Sequence, residues 1–302
     1  MTPRPAARRL VCAAILALAA RATLATDALA PETPRSAAGR APTFLGPGAP
    51  SRPRRVVSLA PSLSDLVVAM GLAERLVAVT RFDDAQELAR LPRVGGYLDP
   101  SAEAVLRLRP DLVMWAGDDA DATPVRRLAE LGVPVVIFRL ETVADVLDTA
   151  RSLGAALGAP AAGEHVAREL SEVVTRARAR AAALPRRRAL FVIGHDPLVV
   201  AGPGSYADEL LRLAGGENVV RDALPWSVYP LEQAVADDPA IVIDGGVLEP
   251  PETLARHSVI GAVRRGAVRR LPDDAALRPG PRLVRALEEL SRILHPRPEP
   301  AP

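Results

Sequence analysis

One phrase of the sequence occurs twice, and this internal repeat constrains the fold more than any other feature. In the first copy, Glu103 precedes Pro110 by seven residues and the apolar run DLVMW follows. In the second copy, Glu232 precedes Pro239 by seven residues and the run AIVID follows, so both landmarks recur after 129 residues. Ordinary strand and helix units can drift into similarity, but here the helix start, the proline and the strand keep their spacing together. The repeat therefore predicts two lobes built on one plan.

A second pair of landmarks lies upstream of each copy. Ser62 is followed after three residues by Asp65 in an apolar helical pattern, and Ser205 is followed in the same way by Asp208. Serine is a favoured residue at the start of a helix, where its hydroxyl accepts a hydrogen bond from the first turn. We therefore predict Ser62 as the N-cap of one helix and a second helix that starts at Ser205.

Short apolar runs alternate with helical patterns in both halves of the chain. The N-terminal half contains the runs RRVVSLAP, LVAVT, DLVMWA and VPVVIF, and the C-terminal half contains RALFVIG, ENVV, AIVIDGG and AVRRLP. Strands that alternate with helices indicate a parallel sheet covered by helices. Two long helical patterns without a strand between them connect the halves. The predicted fold class is α/β, with two Rossmann-like lobes that have parallel sheets and are joined by a long connecting helix.

The first residues have the layout of a secretory signal peptide. A basic start is followed by an apolar run over residues 10–20 and by small-x-small sites that end at Ala25 and Ala30, which is the order typical of such signals. The run is short for a membrane span, and an uncleaved anchor is the alternative. Cys12, the only cysteine, lies within this segment. We therefore expect an exported protein without a disulfide or a cysteine metal site.

The predicted domain organisation follows from these patterns and from composition. The stretch after the signal is dense in Pro, Gly, Ala and Ser, and the C-terminal tail is rich in Pro, which predicts disorder in both. The predicted segments are a signal peptide (1–30), a disordered linker (31–53), an N-terminal α/β lobe (54–141), connecting helices (142–187), a C-terminal α/β lobe (188–294) and a disordered tail (295–302).

Charge and motifs exclude several classes of function. The formal net charge is only +2 and the charges are interspersed, so nucleic acid is not an expected partner. The sequence has no Gly-rich phosphate loop, no G-x-S-x-G and no cysteine nucleophile. Its acidic doublets lack spaced histidines, and no histidine cluster suits zinc or manganese. We predict that the chain is not an enzyme and has no metal site or cofactor, with a secreted hydrolase that uses carboxylates as a remote alternative.

Residues 54–294 resemble the periplasmic solute-binding proteins of ABC importers that handle cobalamin, haem and ferric siderophores. Three stretches carry the resemblance, which is greatest to the vitamin B12-binding proteins: RVVSLAPSLSDLVVAMGLAERLVAVT, RVGGYLDPSAEAVLRLRPDLV and GPGSYADELLRLAGGENVV. It implies a periplasmic protein, which we expect to be a monomer, that captures a corrinoid in a cleft between its lobes and delivers it to a permease dimer with its ATPase subunits. Capture of haem or a ferric siderophore for the same kind of importer is the alternative.

The same resemblance assigns a role to the repeated glutamates. Members of the family contact permease arginines through one acidic residue on each lobe, and the matching positions are Glu103 and Glu232. Each follows a proline, Pro100 or Pro230, at the start of a predicted helix, where a carboxylate is also favoured by the helix dipole. Docking onto the permease is our interpretation of the pair, and a purely structural role is the alternative.

Aromatic residues suit a large flat ligand at the expected cleft. They make up only 3% of the chain, yet five lie near predicted strand ends, where open α/β sheets bind ligands. The resemblance places cleft aromatics at Phe82, Tyr97 and Trp226, although the B12 binders typically have Tyr where this chain has Phe82. His195 follows a strand and is a candidate ligand for haem iron or corrin cobalt, or else a hydrogen-bonding loop residue. The predicted ligand-binding residues are Phe82, Tyr97, Trp115, His195, Trp226 and Tyr229.

Overall fold

The structure is a computed structural model that describes residues 41–118, 122–246 and 249–296. The predicted signal peptide, with Cys12, lies outside the described residues. Among the helices of the described part, none combines the length and apolar character that a membrane span needs. The chain divides into two compact units. Within the described residues, the N-terminal unit comprises 41–173 and Arg278–Leu283, and the C-terminal unit comprises 174–277 and 284–296.

The N-terminal unit is built on a sheet with the strand order β1-β5-β4-β2-β3. Neighbouring strands are parallel except for β1, which is antiparallel to β5. The apolar runs that predicted β2, β3, β4 and β5 are largely buried, as expected for a parallel sheet covered on both faces. In the described residues, the strands are β1 (Thr43–Leu45), β2 (Val56–Ser58), β3 (Leu76–Ala78), β4 (Leu112–Ala116) and β5 (Val135–Phe138).

Strand β1 corrects the prediction of a disordered linker over residues 31–53. Residues 43–45 pair with 135–137 of β5, so the prediction is wrong for this segment. Pairing covers the backbone groups that the edge of β5 would otherwise expose. A three-residue strand is too short to show a period, and its Pro- and Gly-rich surroundings concealed it.

The helices of the N-terminal unit follow the predicted order. The first begins at Pro61 with Ala60 as the N-cap and without a side-chain cap, so the prediction of Ser62 as the N-cap is wrong by two residues. Thr142 caps a later helix through a reciprocal capping box with Asp145. The helices are α1 (Pro61–Ala69), α2 (Ala102–Arg107), α3 (Thr123–Glu130), α4 (Val143–Ala156) and α5 (Pro160–Ala182), the last of which continues into the C-terminal unit.

The C-terminal unit has a mixed sheet with the strand order β11-β10-β6-β7-β9, and β8 also pairs with β6. Strands β8, β10 and β11 lie parallel to their neighbours, whereas β7 is antiparallel to both β6 and β9. The predicted parallel arrangement holds for four of the strands, and β7 and β9 extend it with antiparallel pairing, because the turn at Asp196–Pro197 folds the chain back at once. The strands are β6 (Arg187–His195), β7 (Leu198–Ala201), β8 (Gly216–Asn218), β9 (Trp226–Val228), β10 (Ile241–Asp244) and β11 (Val268–Arg270).

The helices of the C-terminal unit begin where the sequence signals indicate. The Ser205 hydroxyl accepts a hydrogen bond from the Asp208 N–H at 3.1 Å, which caps the first of them. The last is followed by His295, whose N–H donates to the Ser291 carbonyl at 2.9 Å, so the predicted disorder of the tail is wrong at His295. The helices are α6 (Tyr206–Leu213), α7 (Leu231–Ala236), α8 (Pro251–Ala255), α9 (Gly261–Arg264) and α10 (Leu283–Leu294).

The repeat in the sequence is also a repeat in backbone structure. Helices α2 and α7 each have six residues, and strands β4 and β10 begin at residues 112 and 241. The residue before each proline, Arg109 or Asp238, has a positive φ, of 46° and 36° respectively. The right-handed α region is disfavoured before proline, and both copies adopt the same uncommon positive φ at this turn. The two units therefore share a helix, turn and strand.

Candidate functional site

Phe82 and Tyr97 lie beyond the carboxyl end of β3 in the N-terminal unit. Both side chains are half-buried. The guanidinium carbon of Arg81 lies over the Phe82 ring, 5.0 Å from its centroid. The sequence reasoning expected aromatic side chains at this edge, where ligands of open α/β sheets bind.

Trp115 packs against the face of the Tyr97 ring. The two rings are stacked, with centroids 5.2 Å apart and an interplanar angle of 12°. The Trp115 indole N–H donates to the Tyr97 carbonyl at 3.4 Å, and the Trp115 side chain has no exposed surface. A side chain at Gly117 would collide with the Trp115 ring and with the Tyr97 hydroxyl. Ligand contact by Trp115 stays a prediction that its burial does not favour, whereas its packing role is evident.

The two aromatic candidates of the C-terminal unit differ in exposure. Trp226 is half-buried on β9, the edge strand of its sheet. Tyr229 is buried in the hydrophobic core of the unit, and its hydroxyl donates to the Asp237 carboxylate. Burial and this hydrogen bond raise the pKa of Tyr229 above its usual value. Of the two residues, Trp226 has more exposed side-chain surface that a ligand can contact.

His195 is fully buried at the end of β6 and is held by carboxylates. Its Nε2 lies 2.7 Å from Asp244 Oδ1, and its Nδ1 lies 3.4 Å from Glu249 Oε2. The Glu249 carboxylate also accepts a hydrogen bond from the His195 N–H at 3.0 Å, and Arg270 lies 3.3 Å from the second Asp244 oxygen. Nε2 is hydrogen-bonded to Asp244, whereas Nδ1 is buried near Glu249 without a hydrogen bond. The ring therefore lies among protein carboxylates, with no exposed surface. The described residues contain no group of three or more His, Cys, Asp or Glu arranged to hold a metal ion.

The proposed docking glutamates are both exposed in the first turns of equivalent helices. Glu103 lies on α2 and Glu232 on α7. The Glu103 side chain is 81% exposed and lies 3.7 Å from Arg107, one turn along the same helix. Such an exposed pair contributes little to stability. Both carboxylates are therefore accessible to a partner.

A cluster of two aspartates and two arginines, here called the arginine clasp, was not predicted. Arg282 Nε lies 2.7 Å from Asp65 Oδ2 on α1, and Arg278 Nη1 lies 2.9 Å from Asp84 Oδ1. Arg282 also contacts Asp84. Burial alone would raise the pKa of Asp84, but the hydrogen bonds and charges of the two arginines outweigh it and hold the pKa at about 2. The clasp attaches Arg278–Leu283 to the N-terminal unit, although the sequence assigned this segment to the C-terminal lobe.

Comparison with known proteins identifies the family. Residues 56–275 match the family described as periplasmic binding protein, and the chain belongs to it. This family comprises substrate-binding proteins of ABC importers and not enzymes. The predicted class is thereby confirmed, and the alternative of a secreted hydrolase is wrong.

Individual relatives carry names from two ligand classes. The vitamin B12-binding protein of Salmonella typhimurium is 29% identical over 243 residues, which cover 80% of this chain and 90% of that protein. The crystal structure of the periplasmic vitamin B12-binding protein of Vibrio cholerae is similar with a TM-score of 0.69 and 25% identity, over 81% of this chain and 98% of that one. A periplasmic heme-binding protein from Pseudomonas aeruginosa has a TM-score of 0.71 and 28% identity, over 83% and 95%. The likeness thus confirms the fold of two α/β units and leaves the ligand to be proposed.

Proposed function

We propose that this chain captures a corrinoid in the periplasm and delivers it to the permease of an ABC importer. The observation that carries the proposal is the stack of Tyr97 on Trp115, with half-buried Phe82 beyond the same edge of the sheet. The similarity to proteins named for vitamin B12 binding, over about four fifths of the chain, supports the same ligand class.

The chemistry of the stack suits a corrin ring. The macrocycle has broad apolar faces, and aromatic side chains bury large area against such faces at low cost in side-chain entropy. Trp115 stacks on Tyr97, and Gly117 has no side chain that would displace either residue. The Tyr97 ring is therefore supported before any ligand arrives. A preorganised contact loses less free energy on binding than a mobile one.

Delivery requires a second surface, for which we propose the glutamates of the repeat. Glu103 and Glu232 occupy the same position on six-residue helices, one in each unit, and both are exposed. Equivalent carboxylates on two units suit a permease dimer that offers one arginine site per subunit. Charged contacts of this kind set orientation and the rate of encounter.

Parallel calorimetric titrations test the ligand class. The purified protein is titrated with cyanocobalamin, with haemin and with a ferric siderophore at the same temperature and ionic strength. Saturable binding of cyanocobalamin, at least tenfold tighter than that of the other two ligands, is the expected result. Tight binding of haemin or the siderophore without binding of cyanocobalamin would overturn the corrinoid proposal.

Haem is a second candidate, because solved structures at 28% identity are those of heme-binding proteins. A Soret band that stays with the protein through gel filtration, with no retention of corrinoid, would favour it. His195→Ala separates the two roles considered for this residue. Since the imidazole is fully buried and its Nε2 is bonded to Asp244, the variant is expected to leave any Soret spectrum unchanged.

A further inference from the structure

An ion pair in the N-terminal unit joins the loops that carry Phe82 and Tyr97. Arg81 precedes Phe82 and covers its ring, while Asp99 follows Tyr97 by two residues. Arg81 Nη2 lies 2.7 Å from one Asp99 oxygen and 2.8 Å from the other. The Asp99 side chain is 60% exposed and that of Arg81 is 30% exposed. Polar groups of both signs are therefore available next to the aromatic surface.

The backbone brings the loops that carry this pair together. The Arg81 N–H donates to the Gly95 carbonyl at 2.9 Å, which joins the two loops. Gly96 lies beneath the ion pair, where an added Cβ would come within 2.6 Å of Asp99 Oδ1 and 2.7 Å of Arg81 Nη2. As the pair is arranged, it lies against the backbone of Gly96, and a side chain at this position would displace the ends of both charged side chains.

Arg81 and Asp99 each keep hydrogen-bonding atoms that the ion pair does not use. Arginine often binds a carboxylate through two nitrogens, but here Nη2 alone serves both Asp99 oxygens. In the part of the chain that the structure describes, Arg81 Nη1 makes no hydrogen bond and the buried Nε has no partner. Carboxylate oxygens can each accept more than one hydrogen bond. The pair can therefore offer a ligand one donor, Nη1, and one acceptor, an Asp99 oxygen.

A donor beside an acceptor is complementary to a primary amide. The amide oxygen accepts a hydrogen bond and its NH₂ group donates, so a carboxamide can satisfy Arg81 and Asp99 together. A ligand carboxylate only accepts hydrogen bonds, and it would meet the negative charge of Asp99. Arg139, which follows β5, is also paired, with Glu141 and with Asp118 at 3.6 Å. The charged groups of this edge thus favour neutral polar substituents over acidic ones.

We propose that Arg81 and Asp99 recognise a peripheral carboxamide of the ligand and select corrinoids over macrocycles that carry carboxylates. This inference rests on the proposed function, because it requires that the ligand contact Phe82 and Tyr97. It adds the polar determinant that the aromatic residues lack, since an aromatic face does not distinguish a corrin from a porphyrin by its substituents.

The test compares cyanocobalamin with cyanocobalamin monocarboxylic acids, in which one peripheral carboxamide is hydrolysed to a carboxylate. The wild-type protein is expected to bind at least one of these acids about tenfold more weakly than cyanocobalamin. Asp99→Ala is expected to weaken cyanocobalamin binding about fivefold, as the loss of one hydrogen bond implies, and to remove or reverse the preference against that acid. Asp99→Asn, which keeps an acceptor without the charge, should hold cyanocobalamin binding within about twofold of the wild type.

Glu130→Ala is the matched control, because Glu130 is an exposed carboxylate 3.2 Å from Arg127 at the far end of α3. This variant should leave the affinities for cyanocobalamin and for the monocarboxylic acid unchanged. If wild-type protein binds cyanocobalamin but Asp99→Ala leaves its preference between amide and acid unaltered, the inference is overturned and the proposed function stands. If the wild type binds no corrinoid, the proposed function fails and the inference fails with it. Circular dichroism of each variant verifies that it is folded.

Discussion

The two copies of the repeat place different residues at equivalent points of one backbone. Tyr97 and Trp226 are 129 residues apart and both are half-buried aromatic residues. Beneath Tyr97 lies Trp115, whereas the equivalent of Trp115 in the second copy is Asp244, which binds His195 and Arg270. The N-terminal unit therefore supports its aromatic residue with a second ring, and the C-terminal unit has a buried charged cluster at the corresponding strand end.

The comparison separates what the repeat preserves from what it changes. Helices α2 and α7 keep their length, their first-turn glutamate and the turn before the proline. The residues at the carboxyl ends of the strands differ. Equivalent helices suit the two equivalent surfaces of the proposed permease dimer, whereas strand ends, where open α/β sheets bind ligands, differ between the units.

The largest effect is expected at the first-turn glutamate that both copies of the repeat share. Replacing both Glu103 and Glu232 by Ala should abolish uptake in transport assays and association with the permease, because each unit loses its proposed docking carboxylate. Ligand affinity measured by calorimetry should stay within about twofold, since exposed charges on a docking surface act mainly on encounter and orientation.

A matched double variant, Glu87→Ala with Glu252→Ala, removes one exposed first-turn carboxylate from each unit at other positions. It should transport normally. Normal import by the Glu103 and Glu232 double variant, or loss of its ligand binding, would mean that the repeated glutamates are only helix starts.

The next largest effect concerns the buried ring. Trp115→Ala should lower the free energy of unfolding by about 3–5 kcal/mol, because it removes a fully buried indole and leaves a cavity under Tyr97. Urea denaturation followed by circular dichroism measures this loss. Trp115→Phe retains a ring and should lose distinctly less; a loss below about 1 kcal/mol for Trp115→Ala would show that the stack is not a rigid support.

A smaller effect is expected at Trp226, which is half-buried on an edge strand. Trp226→Ala should weaken ligand binding by about 1–3 kcal/mol through the loss of aromatic contact area, as measured by calorimetry. Val228→Ala, two residues along the same strand and exposed, is the control and should have no effect. If the Trp226 variant bound the ligand with unchanged affinity, Trp226 would not be a ligand-binding residue. It would then not share the role proposed for Tyr97.

The smallest effect concerns the arginine clasp, which is confined to the N-terminal unit. Because the pKa of Asp84 is lowered from 3.8 to about 2, its contribution to stability is present above pH 4 and is lost as the pH falls towards 2. Asp84 is 58% exposed, so solvent screening keeps this contribution to about 1 kcal/mol or less. Asp84→Asn should flatten the decline in stability between pH 4 and pH 2, measured by thermal unfolding; an unaltered decline would contradict the assignment.

The sequence by itself predicted the features that depend on local pattern. Apolar runs of strand length, helical periodicity and the repeated Glu and Pro spacing are all readable within short windows, and they led to the two α/β units and to α2 and α7 as equivalent helices. The family resemblance was carried by stretches of the same kind. The aromatic candidates Phe82, Tyr97 and Trp226 lie near predicted strand ends, and the family resemblance singled them out; their role in ligand binding stays a prediction.

The tertiary structure alone decided which of these side chains are exposed and what holds them. His195 binds Asp244, 49 residues away, and Arg282 binds Asp65, 217 residues away; no short window contains both partners. Burial of Trp115 and Tyr229 likewise depends on packing between distant segments, as does the pairing of β1 with β5. Periodicity reports which face of an element is apolar, but a polar or aromatic residue at a strand end can point to solvent or to a neighbour. That choice is made only when the elements pack.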